Sequence, residues 1–525
     1  MLPAPSPQLR CTTSIPPALA VRLAPLLCRA KNLGTGVSGT RGIGKSQLLK
    51  TLVWLDVVHE PKAGILFDPV GATIDGILGQ IPYFHPDDQR QLWRRIRLVN
   101  LSPTDFVVPL PLYYRTGVGR ETSYAMAQRL SDCLIKLDPK LRDASVLGAN
   151  ALIELATHLG RVLIALDYQP SEIEPLLRDI PAWTGTLQEA AARHPDVHES
   201  VEFITEHFSQ LTAAGQRERS RSLLNKLIFL ADPATKAQFC ASTAALDWTT
   251  LMEEQQLWLF DLRNEHDWET RRFKLLFLWQ AVTDFARRWG AAHAGDRTQP
   301  LALTIDEVSF MFSRSAGARS PLVDDLDGII NQYSRNINLQ LTIAWQELYQ
   351  LPPGLKETLL SLGTQFFGRM TDPDSMREVA DRLTVHDARL GTLAIRNGRE
   401  YEVGYAELRE TNRRRLATLP KYTYLVSRTA HEGDPPLPVH TFSIAPLATR
   451  HYPPPEHLAA IREQLTQRDG LPIAAVLAEI AQRGPQPSRT GASPAVPLTA
   501  EVAITAEVAI TADDPRETMV HPRST

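Results

Sequence analysis

Over the first hundred positions, short apolar runs alternate with amphipathic stretches. Residues 33–38 lead apolar into a Gly-rich turn, and 45–58 carry apolar residues at helical spacing. Gly64-Ile65-Leu66-Phe67 is a short buried-type run that stops at Asp68-Pro69. Residues 86–96 read as a helix and 97–101 as another strand. This β-α-β-α-β rhythm predicts a parallel sheet with crossover helices.

The pattern then changes. Met126, Leu130, Cys133, Leu134 and Leu137 recur at helical spacing, as do Leu152, Leu155, Leu159 and Leu163, and no confident strand is predicted between 104 and 250. Strand signals return at 256–260, ending in Asp261, and a long amphipathic helix is expected over 271–288. Further strands are expected at 301–305, 339–345 and 363–370, followed by a helix over 374–383. Hairpin-like strands are expected at 399–405, 422–427 and 439–443. From 484 the chain is rich in Pro, Ser, Thr and Ala and repeats Glu-Val-Ala-Ile-Thr at 501–505 and 507–511, a composition of disorder. The expected organisation is a Pro-containing lead-in (1–32), the first part of an α/β core (33–103), an all-α insertion (104–250), the second part of the core (251–430), a C-terminal segment (431–483) and a tail (484–525).

Composition narrows the function classes. The chain has 525 residues, with 56 Lys plus Arg against 59 Asp plus Glu, a net charge of −3. No global basic field draws in nucleic acid or an anionic membrane, so any such contact must be local. The four cysteines (Cys11, Cys28, Cys133, Cys240) show no paired spacing, which argues against a disulfide framework or a zinc site. There is no secretion signal and no apolar run long enough to span a bilayer, so a cytoplasmic location without a membrane span is the expectation.

Gly39-Thr40-Arg41-Gly42-Ile43-Gly44-Lys45-Ser46 matches G-x-x-x-x-G-K-[ST], with a strand-like lead-in before it and a helix after it. Glycines let successive N–H groups converge on phosphate oxygens, and the helix that starts there adds its positive end. Lys45 is expected to reach the β- and γ-phosphates of ATP and Ser46 to ligate Mg²⁺. The candidate nucleotide-binding set is Gly39, Thr40, Arg41, Gly42, Ile43, Gly44, Lys45, Ser46 and Gln47. Three predicted strands end in Asp: Asp68, Asp261 and Asp306. Only Asp306 is followed by a second carboxylate. Asp306 is therefore the candidate metal ligand and Glu307 the group that polarises the attacking water; the other two fit ordinary strand-end turns. About half the chain separates Lys45 from Asp306, which argues against AAA+ proteins and against signalling NTPases of the nucleotide-oligomerisation type.

The set GTRGIGKS (39–46), ILFDP (65–69), LWLFDLR (257–263), LTIDEV (303–308) and TIAWQ (342–346) resembles the HerA/FtsK superfamily of DNA-pumping ATPases, within it the TraG/TraD-type coupling proteins of conjugation. The resemblance implies a RecA-like P-loop core with a mostly parallel sheet and an inserted all-α domain. It implies that Gln346 senses the γ-phosphate and that Arg335 acts as an arginine finger in a neighbouring subunit, hence a ring, expected to be a hexamer. It implies ATP-driven movement of DNA, with a relaxase or another mobile-element protein as a partner. Two features depart from the pattern: the transmembrane helices of membrane-bound coupling proteins are missing, and Asp68-Pro69-Val70-Gly71 lacks the Lys of Asp-Pro-Lys-Gly. Candidate DNA contacts are Arg90, Arg94, Arg95 and Arg97; Arg217, Arg219 and Arg221; and Arg413, Arg414 and Arg415. Trp93, Trp183, Trp248 and Trp258 fit core positions better than base-stacking platforms. Two rival readings stay open: a P-loop ATPase that remodels protein or RNA, and a nucleotide-gated scaffold with little turnover.

Overall fold

Nine strands build one sheet: β1 (Thr35–Ser38), β2 (Ala63–Asp68), β3 (Ile96–Asn100), β4 (Leu257–Asp261), β5 (Leu301–Ile305), β6 (Leu339–Trp345), β7 (Thr364–Phe367), β8 (Thr423–Arg428) and β9 (His440–Ser443). Their order is β9-β8-β7-β1-β6-β5-β2-β4-β3. The first seven pair in parallel, while β8 runs antiparallel to β7 and β9 antiparallel to β8. In the computed structural model the described residues are 34–60, 62–138, 149–293, 300–312, 321–333, 337–352, 354–384, 393–396, 399–402, 404–429, 439–444 and 453–485. The lead-in 1–32, Arg335, Cys11, Cys28 and the tail from 486 onward lie outside them.

The central strands are apolar on both faces because both faces are covered. Ile65 and Phe67 of β2 enter one core and Leu66 the other; on β4, Trp258 and Phe260 face the first and Leu257 and Leu259 the second. The second core is closed by α1 (Lys45–Trp54), α2 (Ala72–Leu78) and α3 (Pro86–Arg95). Pro86 opens α3, acids fill its first turn and arginines its last, the arrangement a helix dipole favours.

The first core continues without a break into the helical run of 123–253. Here α4 (Ser123–Leu137) packs on α5 (Ala149–Ala165), and six shorter α-helices follow among the described residues. The Thr122 hydroxyl accepts from the Ala125 amide at 3.2 Å and caps α4, a bond worth about 1 kcal/mol. The long α6 (Trp268–Ala292) ties this layer to the sheet: its Arg272 donates to the carbonyls of Lys136, Leu137 and Met311. Trp183, Trp248 and Trp258 are buried, with Trp248 and Trp258 in ring contact at 4.9 Å. Cys133 and Cys240 are buried free thiols. Among the described residues no helix is long and apolar enough to cross a membrane.

Three features lie outside the sequence expectation. Phe106–Val107 forms a short strand antiparallel to Leu471–Pro472, inside the stretch expected to hold no strand; a two-residue pairing leaves no periodicity to detect. After α7 (Pro373–Leu383), α8 (Tyr405–Thr418) lies between two of the expected strands; it buries only Asn412 and Leu416 and so lacks an apolar stripe. Among the described residues, 453–485 hold two helices, α9 (Pro455–Asp469) and α10 (Ile473–Ala481).

Candidate nucleotide site

All seven parallel strands point the same way, so their carboxyl ends share one edge. In an open α/β sheet that edge is where ligands bind. β1 delivers the loop 39–46, β5 delivers Asp306 and Glu307, and β6, lying between them, delivers Gln346. The loop is tied down at its base: the Gly39 amide donates to the Gln346 carbonyl at 3.1 Å and the Thr40 amide to the Arg369 carbonyl at 2.8 Å. Arg41 and Gly42 are exposed at the tip. Gly44 opens α1 at φ 108°, and a Cβ there would lie 2.4 Å from the Tyr422 ring. Only glycine meets both demands.

Side chains separated by half the sequence meet here. Ser46 Oγ donates to Asp306 Oδ2 at 3.3 Å, and Thr73 Oγ1 donates to the same oxygen at 2.9 Å. Lys45 Nζ folds back on the loop, donating to the carbonyl oxygens of Gly39 at 2.7 Å and Thr40 at 3.4 Å. Glu307 sits at φ 62°, an uncommon conformation for a non-glycine residue and one that clusters at functional sites. Its carboxylate accepts from Ser309 Oγ at 2.6 Å and from Gln346 Nε2 at 2.8 Å. The geometry therefore joins Lys45, Ser46, Asp306, Glu307 and Gln346.

The electrostatics are unresolved in a way that suits a ligand. Burial, then the nearby Asp68 carboxylate and then Glu307, push Asp306 up to about 7. Burial lowers the Lys45 ammonium, against the pull of Glu307, Asp306 and Glu347. Among the described residues, three buried polar atoms beside the loop have no partner: Ser38 Oγ, Thr40 Oγ1 and Glu347 Oε2. Buried polar atoms in native proteins are nearly always satisfied, so a cluster of orphans marks a place for further polar matter. Ser46 and Asp306 offer a hydroxyl and a carboxylate, hard oxygen donors of the kind Mg²⁺ takes. The loop amides, the α1 N-terminus and Lys45 offer positive charge to a polyphosphate. The residues fit both groups.

Sequence reasoning missed three contributors. Thr73 fixes Asp306, Ser309 fixes Glu307, and Glu347 brings a third carboxylate toward Lys45 while accepting from the Thr371 amide at 3.0 Å and hydroxyl at 3.2 Å. Glu347 had a usable signal, since it directly follows Gln346. Thr73 had none, because its partner is 233 positions away. Asp68 accepts four amides, those of Val70, Gly71, Thr73 and Ile74, and so closes the turn into α2.

The arginine clusters separate. Arg95 donates to the Gln255 carbonyl at 2.9 Å and the Val57 carbonyl at 3.0 Å, and burial lowers it to about 10. It braces the fold through these carbonyls. Arg90 pairs with Asp87, and Arg97 lies 3.7 Å from Asp469. Arg413 and Arg414 share Glu410 at 3.1 Å each, and Arg415 donates to Thr441. Arg217, Arg219 and Arg221, on the helix Ala213–Lys226, have no hydrogen-bond or ion-pair partner among the described residues.

The comparisons with known proteins fall on this frame. The sequence matches no protein-family model and no curated protein. The TrwB plasmid coupling protein, solved with the non-hydrolysable GTP analogue GDPNP, superposes with a TM-score of 0.50 at 16% identity, covering 80% of this chain and 86% of that one. This chain has the TrwB fold. That fold is a RecA-like α/β core with attached helices, as the sequence led one to expect. The unbound monoclinic form of TrwBdeltaN70 (TM-score 0.49, 18% identity, 81% of this chain and 88% of that one) also superposes. So does VirB4 of Thermoanaerobacter pseudethanolicus (0.46, 14%, 80% and 90%).

Proposed function

We propose that the chain is a Mg²⁺-dependent P-loop ATPase of the coupling-protein type, forming a ring, expected to be a hexamer, and using ATP to move DNA for a conjugative or mobile element. The observation that carries the ATPase reading is the 3.3 Å contact between Ser46 and Asp306, which brings a phosphate-loop hydroxyl and a distant strand-end carboxylate to one point. The shared fold and the coupling-protein motifs support the DNA-moving part.

In this reading the loop amides and Lys45 bind the β- and γ-phosphates, with Lys45 leaving the Gly39 and Thr40 carbonyls to do so. Ser46 and Asp306 would hold Mg²⁺, which when bound offsets charge on the phosphates. Glu307 takes the proton of the attacking water as general base. Gln346, hydrogen-bonded to Glu307, orients that carboxylate and registers the γ-phosphate. Arg335 of one subunit completes the site of its neighbour. Asp306 must be ionised to hold the cation, and at its raised value the cation itself supplies the charge that ionises it.

ATP turnover measured with and without double-stranded DNA tests the proposal. DNA-stimulated turnover that is lost in Lys45→Ala is expected. Turnover indifferent to DNA supports remodelling of protein or RNA; nucleotide binding without turnover supports a gated scaffold. Mixing Arg335→Ala with Lys45→Ala chains is expected to recover part of the activity; no recovery rules out action of Arg335 in trans.

A further inference from the structure

We propose that Arg263 and Arg462 form an ionic strut that positions Asp306 for its cation, acting through Asp75, the turn at 69–74 and Thr73. The inference rests on the nucleotide reading above and names how that site is held.

Thr73 Oγ1 reaches Asp306 Oδ2, the oxygen that Ser46 also contacts. Where Thr73 stands is decided by the turn after β2. Asp68 gathers that turn from inside, accepting from Val70 at 3.0 Å, Gly71 at 2.6 Å, Thr73 at 2.8 Å and Ile74 at 3.0 Å. Arg263, at the end of β4, holds it from outside. Its Nη2 donates to the Gly71 carbonyl at 2.7 Å, and its two terminal nitrogens grip Asp75 at 2.6 and 2.7 Å. A Cβ on Gly71 would sit 2.1 Å from Arg263 Nε, and Gly71 has φ 82°. The guanidinium fills the space that any other residue at 71 would need. Position 70, where the coupling-protein pattern has Lys, is an exposed Val; the cation on this turn comes from Arg263.

Arg263 is itself fixed from two sides. Its Nε donates to Asp261 at 2.9 Å. Arg462, on α9, donates to Asp75 at 2.9 Å and pairs with Asp261 as well. Two guanidiniums thus alternate with two carboxylates, and Asp261 is only 1% exposed. Such a network is rigid because each charge is partnered twice, and removing one member leaves a desolvated charge behind. Partners behind a metal ligand commonly change metal affinity by about 10- to 100-fold when removed. Arg263 and Arg462 touch neither the phosphate loop nor Asp306, so they are positioning residues.

The test uses the full chain and the binding of a fluorescent methylanthraniloyl ATP, titrated in EDTA and then with Mg²⁺. Thr73→Val is expected to raise the Mg²⁺ concentration for half-saturation about tenfold, and Arg462→Gln severalfold. Arg462→Lys is expected to recover part of the loss. Affinity in EDTA stays unchanged in Arg462→Gln and Arg462→Lys. The double variant Thr73→Val/Arg462→Gln is expected to be no worse than Thr73→Val alone, because both act on one path. The strut is overturned if Arg462→Gln leaves Mg²⁺ half-saturation at the wild-type value while its melting temperature falls, or if affinity in EDTA and in Mg²⁺ drop together. A wild-type chain with no Mg²⁺-dependent binding removes the nucleotide reading itself, and the strut with it.

Discussion

The phosphate-loop edge and the C-terminal segment hold charge in opposite ways. At the loop edge charges stand unmatched: Lys45 rests on backbone carbonyls, Asp306 is crowded by Asp68 and Glu307, and Ser38, Thr40 and Glu347 keep buried atoms without partners. Along 455–485 the key arginines are matched. Arg462 meets Asp75 and Asp261; Arg468 pairs with Asp469; Arg483 meets Glu172 at 3.5 Å and Glu479 at 2.7 Å. Matched charge maintains a structure, whereas unmatched buried charge costs stability and persists where a ligand completes it. The difference teaches that the two regions fail differently when cut.

The largest effect is expected at the unmatched edge. Glu307→Gln keeps the hydrogen-bonding shape and removes the base, so turnover should fall about 10²- to 10⁴-fold while ATP binding and melting temperature hold. Single-turnover hydrolysis and nucleotide binding measured side by side check it; an equal loss of both would erase the distinction between the regions. The converse cut is Arg483→Ala. It strips a buried cation from Glu172 and the Cys240 carbonyl and should cost about 3 kcal/mol in a denaturant titration, with turnover per folded molecule unchanged.

Legibility in the sequence divides along the same line. The loop 39–46 announces itself because phosphate chemistry demands fixed residue types at fixed local spacing. The Asp306-Glu307 pair announces itself because two carboxylates at a strand end are uncommon. Strands β1 to β9 were legible because strands are short runs rich in apolar and β-branched residues bounded by turns, although neither the order of the sheet nor the seating of β6 between β1 and β5 leaves any trace in local pattern. α8 and α9 went unread since each buries one or two residues and shows little stripe. Thr73 and Arg462 act on partners 233 and 387 positions away, which no window along the chain can show.

A pH series sharpens the comparison at intermediate size. A carboxyl whose value rises from 3.8 to about 7 on folding binds a proton more tightly when folded. Its contribution favours folding at low pH and is lost as pH climbs through about 7. The nucleotide-free chain should therefore lose melting temperature between about pH 4 and 7 and level off above that, and Asp306→Asn should flatten that part of the profile and raise the melting temperature at pH 8 by a few degrees. The same substitution should abolish Mg²⁺-dependent nucleotide binding. A residue that stabilises the empty fold when neutralised, yet is required for binding, is the signature of charge reserved for a ligand. If Asp306→Asn lowers the melting temperature at pH 8, the carboxylate belongs with the matched group.

The smallest effect carries the same logic out to the surface. Arg413 and Arg414 share Glu410, whereas Arg217, Arg219 and Arg221 have no partner among the described residues. If unmatched charge marks a ligand here too, the second set is the one that meets DNA phosphates. Replacing all three by Gln should weaken double-stranded DNA binding severalfold at moderate salt and lower the slope of log affinity against log salt by about 0.9 for each lost phosphate contact. Replacing Arg413 and Arg414 should lower the slope less, since Glu410 already offsets one of their two charges. The two sets carry similar arginine content and sit on polar helices, so net charge alone would predict similar losses for both. Unequal slopes extend the rule from buried site to open surface; equal slopes would confine it to the interior.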